Sequence, residues 1–517
     1  MTQAPDPSPD AHFSHDQDAV DAAALHVAQG RHAQASALLA GRSFDGLSGA
    51  PLAHALSLRG VAALSAHNLA TATDDLEACV AITPDDARAW INLSIAYGHA
   101  RRYADAMGPA LRAVTITPDD HATAHNYAVA LEHAGHVGDA VRAFENACAL
   151  APQNAKSREG LAVALEHAGR FDEAQIAYSH ACALDPANPS SRMKLGMLRL
   201  LIRGTTHQPE AWSLYEARID WMRSLGVLHR FSAPRWNAVA HGPDAHVVVY
   251  GEQGLGDALQ FARFLPEFRE RCGRLILTAK PEVAALLSRA PGIDLVIPEA
   301  DGAPDADALP PHDAWIPLLS IPHELGSLLR PLPASAGLLS PDHSKVHAWR
   351  RRIDALPGFR VGIAWAGSPV HHNDHNRSID LARLEPIARV PGVSWVSLQK
   401  GPGAARDRGP LWPALLHDWT AHLNDMSDTA ALVRNLDLVI CVDTSVCHLA
   451  GTLGAPVWTL LPWVPDWRWG LADETTPWYP GMRLFRQPGL GDWESVAHRL
   501  SSELSAVVSS RSGVGHR

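Results

Sequence analysis

The sequence predicts an α-helical repeat array followed by two α/β domains built on parallel sheets. Three observations carry that prediction. Pro84, Pro118, Pro152 and Pro186 recur every 34 residues. Beyond about residue 231, short β-branched runs alternate with glycine-bearing turns and helical stretches, the order that makes a parallel sheet. Residues 436–462, LDLVICVDTSVCHLAGTLGAPVWTLLP, compress strand, polar turn, helix and strand into one unit.

At 517 residues the chain has room for about three domains of the usual ~100–200 residues. A hydrophobic content of 46% with 19% charged residues is that of a globular protein. The formal charge of −11 argues against a nucleic-acid partner, which needs a basic surface to displace counterions. No apolar run reaches the ~18–20 residues of a membrane span. Residues 1–18 lack the basic and apolar segments of a signal peptide, so they read as a disordered leader of a cytoplasmic protein. Cys79, Cys148, Cys182, Cys272, Cys441 and Cys447 form no C-x-x-C pair and read as small core residues. The 29 histidines include no H-E-x-x-H framework, and neither a metal nor another cofactor is expected.

The 34-residue period is that of tetratricopeptide repeats. Ala72, Ala106, Ala140 and Ala174 share one repeat position, and Cys79, Ala113, Ala147 and Ala181 another. Small residues belong where the two helices of a unit cross closely, while Trp90, Tyr97, Phe144 and Tyr178 fill the gaps between units. Proline ends each second helix. Residues 19–51 read as a degenerate fifth unit, and 188–222 as a capping pair with Trp212 and Tyr215 over the last apolar face. The solenoid is expected over 19–230. Such an array offers a concave surface for an extended peptide or protein, or serves as a structural arm.

The first α/β domain is expected over 231–345. Residues 246–250 read as a strand, followed by the turn Gly251-Glu252-Gln253-Gly254-Leu255-Gly256 and a helix opened by Asp257 and running to about 271. Strands at 275–278 and 293–297 flank a helix at 281–289. The turn has G-x-x-G-x-G spacing rather than G-x-G-x-x-G, and 277–280 (LTAK) lacks the expected acidic residue. A nicotinamide cofactor is therefore excluded. Asp257 reads either as a plain cap or as a general base, with Gly254 and Gly256 on the acceptor side of a cleft.

The second α/β domain is expected over 346–507, with 508–517 as a disordered tail. Residues 360–365 and 394–398 read as strands. Ser368, Arg377, Ser378 and Lys400 follow strand ends on the rim that also carries Asp443, Thr444 and Ser445. A helix starting after Asp443-Thr444-Ser445 presents free N–H groups, which with two cations would suit a diphosphate. His448 lies in the second turn of that helix. Trp463, Trp467, Trp469 and Trp478 crowd one loop, to stack a base or sugar or simply to pack it.

The segments GEQGLGDALQFARFLP, VGIAWAGSPVHHNDHNRSIDL, VSLQKG, DTAALVRNLDLVICVDTSVCHLAGTLGAPVW and LLPWVPDWRWGLADETTPWYPGMRLFRQ together resemble tetratricopeptide-repeat glycosyltransferases of the heptosyltransferase superfamily (glycosyltransferase family 9-like). The resemblance covers nearly all of residues 230–500. It implies a GT-B fold: two Rossmann-like domains across a cleft, with a C-terminal helix near 493–507 crossing back to the first. It also implies a metal-independent inverting transfer from a nucleoside-diphosphate sugar to an acceptor hydroxyl. Asp257 would be the base, Arg377 the holder of the donor phosphate, and Asp443 and His448 the D-x-x-x-x-H mark of the donor pocket. Ser445 and Cys447 depart from the Ala or Gly often found there, which leaves donor identity open. Repeats joined to such a unit resemble the O-linked N-acetylglucosamine transferases in architecture. The acceptor is then a protein, such as a bacterial surface or flagellar polypeptide, held by the repeats. A catalytically inactive repeat scaffold, or a lipopolysaccharide heptosyltransferase using ADP-heptose, are the alternatives.

Overall fold

The structure, a computed structural model, describes residues 16–228, 231–299, 309–326, 332–371 and 373–514. It divides into two compact units, Met1–Ser191 and Arg192–Arg517.

The first unit is the tetratricopeptide array. Gly49–Ser65 pairs with Leu69–Ile82, Ala87–His99 with Tyr103–Ile116, His121–His133 with Val137–Leu150, and Ala155–His167 with Phe171–Leu184. Asp16–Ala28 and His32–Leu39 form the degenerate unit ahead of them. The period is written into local chemistry. Asp86, Asp120 and Asn154 each cap a first helix by accepting a first-turn N–H, from Arg88, Thr123 and Ser157. The turn inside each unit needs a positive φ, met by Gly135 (82°) and Gly169 (74°) but by Arg101 and His67 in the earlier units. The eight small residues at the two crossing positions are at most 3% exposed, so the helices approach as their size allows. The leader expected over 1–18 lies outside the described residues up to residue 15, and a helix starts at Asp16.

The second unit holds two parallel sheets. In the first, β1 (His246–Tyr250), β2 (Arg274–Ala279), β3 (Leu295–Pro298) and β4 (Ala314–Pro317) lie in the order β3-β2-β1-β4. The second joins β5 (Phe359–Ala364), β6 (Val393–Ser397), β7 (Leu416–His417), β8 (Leu438–Val442), β9 (Val457–Leu461) and β10 (Met482–Arg486). Their order is β10-β9-β8-β5-β6-β7. The strand order reverses between β1 and β4 and between β5 and β8. Adjacent connections diverge at such points and leave a crevice at the carboxyl ends.

Several expectations are corrected. The helices Pro209–Tyr215 and Ala217–Ser224 belong to the α/β unit rather than to a solenoid cap. Ile219 and Met222 share a core with Val248, Ile276 and Trp315 of the first sheet, and Trp212 packs edge-on to Phe261 and Trp467. The helix expected from 257 starts at Leu255 and breaks at Phe261 into a 3₁₀ turn and a short helix, Leu265–Arg269, with Pro266 in its first turn. The helix His343–Ile353, capped by Asp342, spans the boundary expected at 345. The C-terminal helix runs Trp493–Val514, through most of the expected tail. Trp493, Val496, Ala497, Leu500 and Leu504 of this helix lie in the core of the second sheet.

Candidate functional site

The loop after β5 is held from both sides. Gln399, fully inside the protein beyond β6, accepts the N–H groups of Trp365 and Ala366 (2.9 and 2.8 Å) and donates to the Ala366 carbonyl (3.1 Å). Ser378 accepts the Gly367 N–H (2.8 Å) and donates to Asp374 (2.6 Å), so it anchors the loop. These bonds seat Arg377 flat against Gly367, where a Cβ would come within 2.6 Å of the guanidinium. Its Nη1 donates to the Asp443 carbonyl (3.2 Å). Its Nε is buried without a hydrogen-bond partner among the described residues, the nearest carboxylate, Asp374, being 3.8 Å away.

Beyond β8, Thr444 caps the helix Ser445–Leu453 by accepting the Val446 N–H (3.3 Å), and Gly454 ends it in the left-handed conformation (φ 72°). Arg377 and the positive end of this helix therefore adjoin at the β5/β8 switch point. The guanidinium and the positive end of the helix dipole together favour an anion.

Asp443 and His448 lie beneath this surface. Burial first, then the nearby Asp466, pushes the Asp443 carboxyl up to about 6 against the pull of Arg377. The His448 ring is enclosed by Tyr479, whose hydroxyl meets Nδ1 at 2.9 Å, and by Trp469, stacked 5.3 Å away. Burial, then Arg468, Arg263 and Arg377, hold His448 far below its usual pKa, so the ring is neutral. Gly256 is needed here for packing: a Cβ would stand 2.8 Å from the His448 ring. The helix Leu255–Phe261 thus lies directly on Ser445–Leu453, and each starts at its own sheet's switch point.

Asp257 is the third residue of its helix. One carboxylate oxygen accepts the Gly254 N–H (2.8 Å), half of a capping box, and the other accepts from Arg468. Its side chain keeps 17% of its exposure. Asp257, Gly254, Gly256, Arg377, Asp443, Thr444, Ser445 and His448 thus form one neighbourhood, with Ser378 as its support. Ser368 is exposed in the β5 loop, and Lys400 donates to the Leu423 carbonyl. No hydrogen bond or ion pair among the described residues joins either to Asp443 or Arg377.

Arg468 carries no local mark of a site residue in the sequence, where it sits between Trp467 and Trp469. Trp467, Trp469 and Trp478 are all buried, so they pack the loop. Asp443, Cys447 and His448 bring possible metal-ligating atoms within 4.8 Å of one another. Three guanidiniums bear on His448, and burial raises the Cys447 thiol, which bonds the Thr444 carbonyl at 2.9 Å.

The tetratricopeptide repeat profile matches residues 57–121 and 128–189. Protein FlbA of Caulobacter vibrioides (strain ATCC 19089 / CIP 103742 / CB 15) is 28% identical over 326 residues, 58% of this chain and 53% of FlbA. The chain thus spans about half the length of that relative. Among solved structures, MamA MSR-1 is 23% identical with a TM-score of 0.29, covering 33% of this chain and 97% of that one. The thermophilic repeat protein TTC0263 of Thermus thermophilus is 21% identical with a TM-score of 0.31, covering 36% of this chain and all of its own. No glycosyltransferase family is matched.

Proposed function

We propose that the α/β unit is a metal-independent, inverting glycosyltransferase that takes a sugar from a nucleoside-diphosphate sugar. The observation that carries this reading is the pairing of two chemistries on two sheets. A carboxylate, Asp257, stands at the first switch point, and an anion-favouring guanidinium and helix start, Arg377 and Thr444, stand at the second. The donor diphosphate is assigned to Arg377 and the first turn of Ser445–Leu453, with Ser368 and Lys400 on the same rim. Asp257 is assigned the proton of the acceptor hydroxyl as that oxygen attacks the anomeric carbon. The fixed positive charges offset what builds on the leaving diphosphate, which is the work a metal would otherwise do. The repeats are assigned a protein acceptor, since such arrays commonly hold polypeptides. No described helix is long and apolar enough to cross a membrane.

Arg377→Ala is expected to weaken nucleoside-diphosphate binding by about tenfold or more, the worth of a charge-assisted contact. Calorimetry with UDP, GDP and ADP checks this, and equal affinity removes Arg377 from the donor site.

Asp443 gives the site a pH dependence. It carries a negative charge above pH about 6 and loses it below. Affinity for the diphosphate should therefore rise as pH falls through 6, and this component should vanish in Asp443→Asn. Parallel calorimetry of both proteins at pH 5 and 7.5 cancels the titration of the ligand itself.

A further inference from the structure

Arg468 leaves the loop between β9 and β10 and reaches the helix Leu255–Phe261 of the other sheet. Its Nη2 donates to Asp257, its Nε to Gln260 at 2.7 Å, and its Nη1 to Asp466 at 2.8 Å. Asp257 and Gln260 lie three apart and so share one helix face. The guanidinium lies 4.3 Å from the centre of the Trp467 ring, which in turn packs on Trp212 and Tyr215. Only 8% of the residue is exposed. Planarity and a fixed fork of five donors make arginine the side chain for such a task; lysine would offer one mobile point charge.

We propose that Arg468 is a positioning residue for sugar transfer. It fixes the orientation of Asp257 from the opposite domain and couples that carboxylate electrostatically to the leaving diphosphate. This rests on the glycosyltransferase reading above. In the step concerned, the acceptor O–H proton passes to Asp257 and the acceptor oxygen forms the bond to the anomeric carbon. The bond from that carbon to the diphosphate breaks, its electron pair leaving on the diphosphate. Before the step Arg468 faces two carboxylates, Asp257 and Asp466. Once Asp257 holds the proton, one of these counter-charges is gone just as the diphosphate gains negative charge. The field of Arg468 already reaches Asp443 and His448, beside the helix start assigned to that diphosphate. Its attraction therefore passes from the base to the leaving group without the side chain moving.

A purely structural tie between the two domains predicts a loss of stability in Arg468 variants. Positioning predicts, in the folded variant and whatever its stability, a loss of turnover that a guanidinium can restore. The test uses the full chain with the nucleotide sugar that wild type transfers, measuring kcat, KM for donor, calorimetric affinity for the diphosphate and thermal midpoint. Arg468→Gln is expected to lower kcat by about 10²-fold, the usual cost of a misplaced catalytic group, with donor KM within about threefold, as expected when binding energy is not what is lost. Guanidinium chloride at non-denaturing concentration should recover part of kcat, where sodium chloride at equal ionic strength should not. Arg468→Lys, which keeps the charge if Arg468→Gln fails to fold, should fall between the two. Wild-type kcat in Arg468→Gln or Arg468→Lys overturns the proposal, as does a loss that guanidinium does not restore. Absence of transfer by wild type from every nucleotide sugar overturns the glycosyltransferase reading and this proposal with it, whereas transfer by wild type with unaffected Arg468 variants overturns the proposal alone.

Discussion

Asp257→Asn is expected to cut sugar transfer by about 10²–10⁴-fold, the range that general bases supply, while leaving diphosphate affinity nearly unchanged. The amide oxygen of asparagine can still accept the Gly254 N–H, so the helix Leu255–Phe261 keeps its first-turn bond. What disappears is the capacity to take a proton, together with the ion pair to Arg468, which retains Asp466 and Gln260. The donor is assigned to the Arg377 and Thr444 side, away from the altered group. Initial rates with the transferred nucleotide sugar, set beside calorimetry with its diphosphate, check both halves of the expectation. Unchanged turnover removes Asp257 from the chemistry. A matched loss of binding would place it on the donor instead.

Arg218→Met is expected to have the largest effect on stability, about 3–5 kcal/mol, as when one partner of a buried ion pair is removed. Arg218 is 1% exposed and donates to Glu252 through Nε (3.2 Å) and Nη2 (2.8 Å), to Ser320 (2.7 Å) and to Glu216. Glu252 also accepts the Leu319 N–H (3.2 Å), so it fills the β1/β4 switch point, and its other oxygen has no hydrogen-bond partner among the described residues. Burial raises the Glu252 carboxyl and Arg218 opposes that rise. Without Arg218 the rise is unopposed. A carboxyl whose folded pKa exceeds its unfolded value binds protons more readily when folded, so its penalty shrinks as pH falls through the folded pKa. The variant should therefore be less destabilised at pH 5 than at pH 7.5. Urea unfolding followed by tryptophan fluorescence reports the right unit, since fifteen of the 16 tryptophans lie beyond residue 191. A midpoint equal to wild type at pH 7.5 would contradict the role of the pair. Glu252 belongs to the glycine-rich turn that leads to Asp257, so turnover should fall as well.

The repeats were legible because each device recurs in one stretch of chain. Caps at Asp86, Asp120 and Asn154, glycines at 135 and 169, and small residues at the crossings depend on neighbours within about one period. The strands β1, β8 and β9 were legible for a similar reason. Their β-branched and apolar runs are buried on both faces and bounded by turn residues. β4 and β10 are not legible in the sequence because AWIP is only four residues long and MRLFR mixes apolar and charged residues. They become strands only by pairing with β1 and β9, and that gain is not local.

The sequence by itself determined the helical array, the two parallel sheets and the loops that carry Asp257, Arg377 and Thr444, because period, β-branching and capping act over a few residues. Only the tertiary structure decided that Pro209–Tyr215 and Ala217–Ser224 pack with the elements of the first sheet, since an apolar helix face does not by itself name its partner. It also decided that Gly256 makes room for His448, and that Arg468 holds Asp257 from 211 residues away. Ion pairs and ring contacts between distant segments depend on where the chain returns, and no local pattern in a single sequence encodes that.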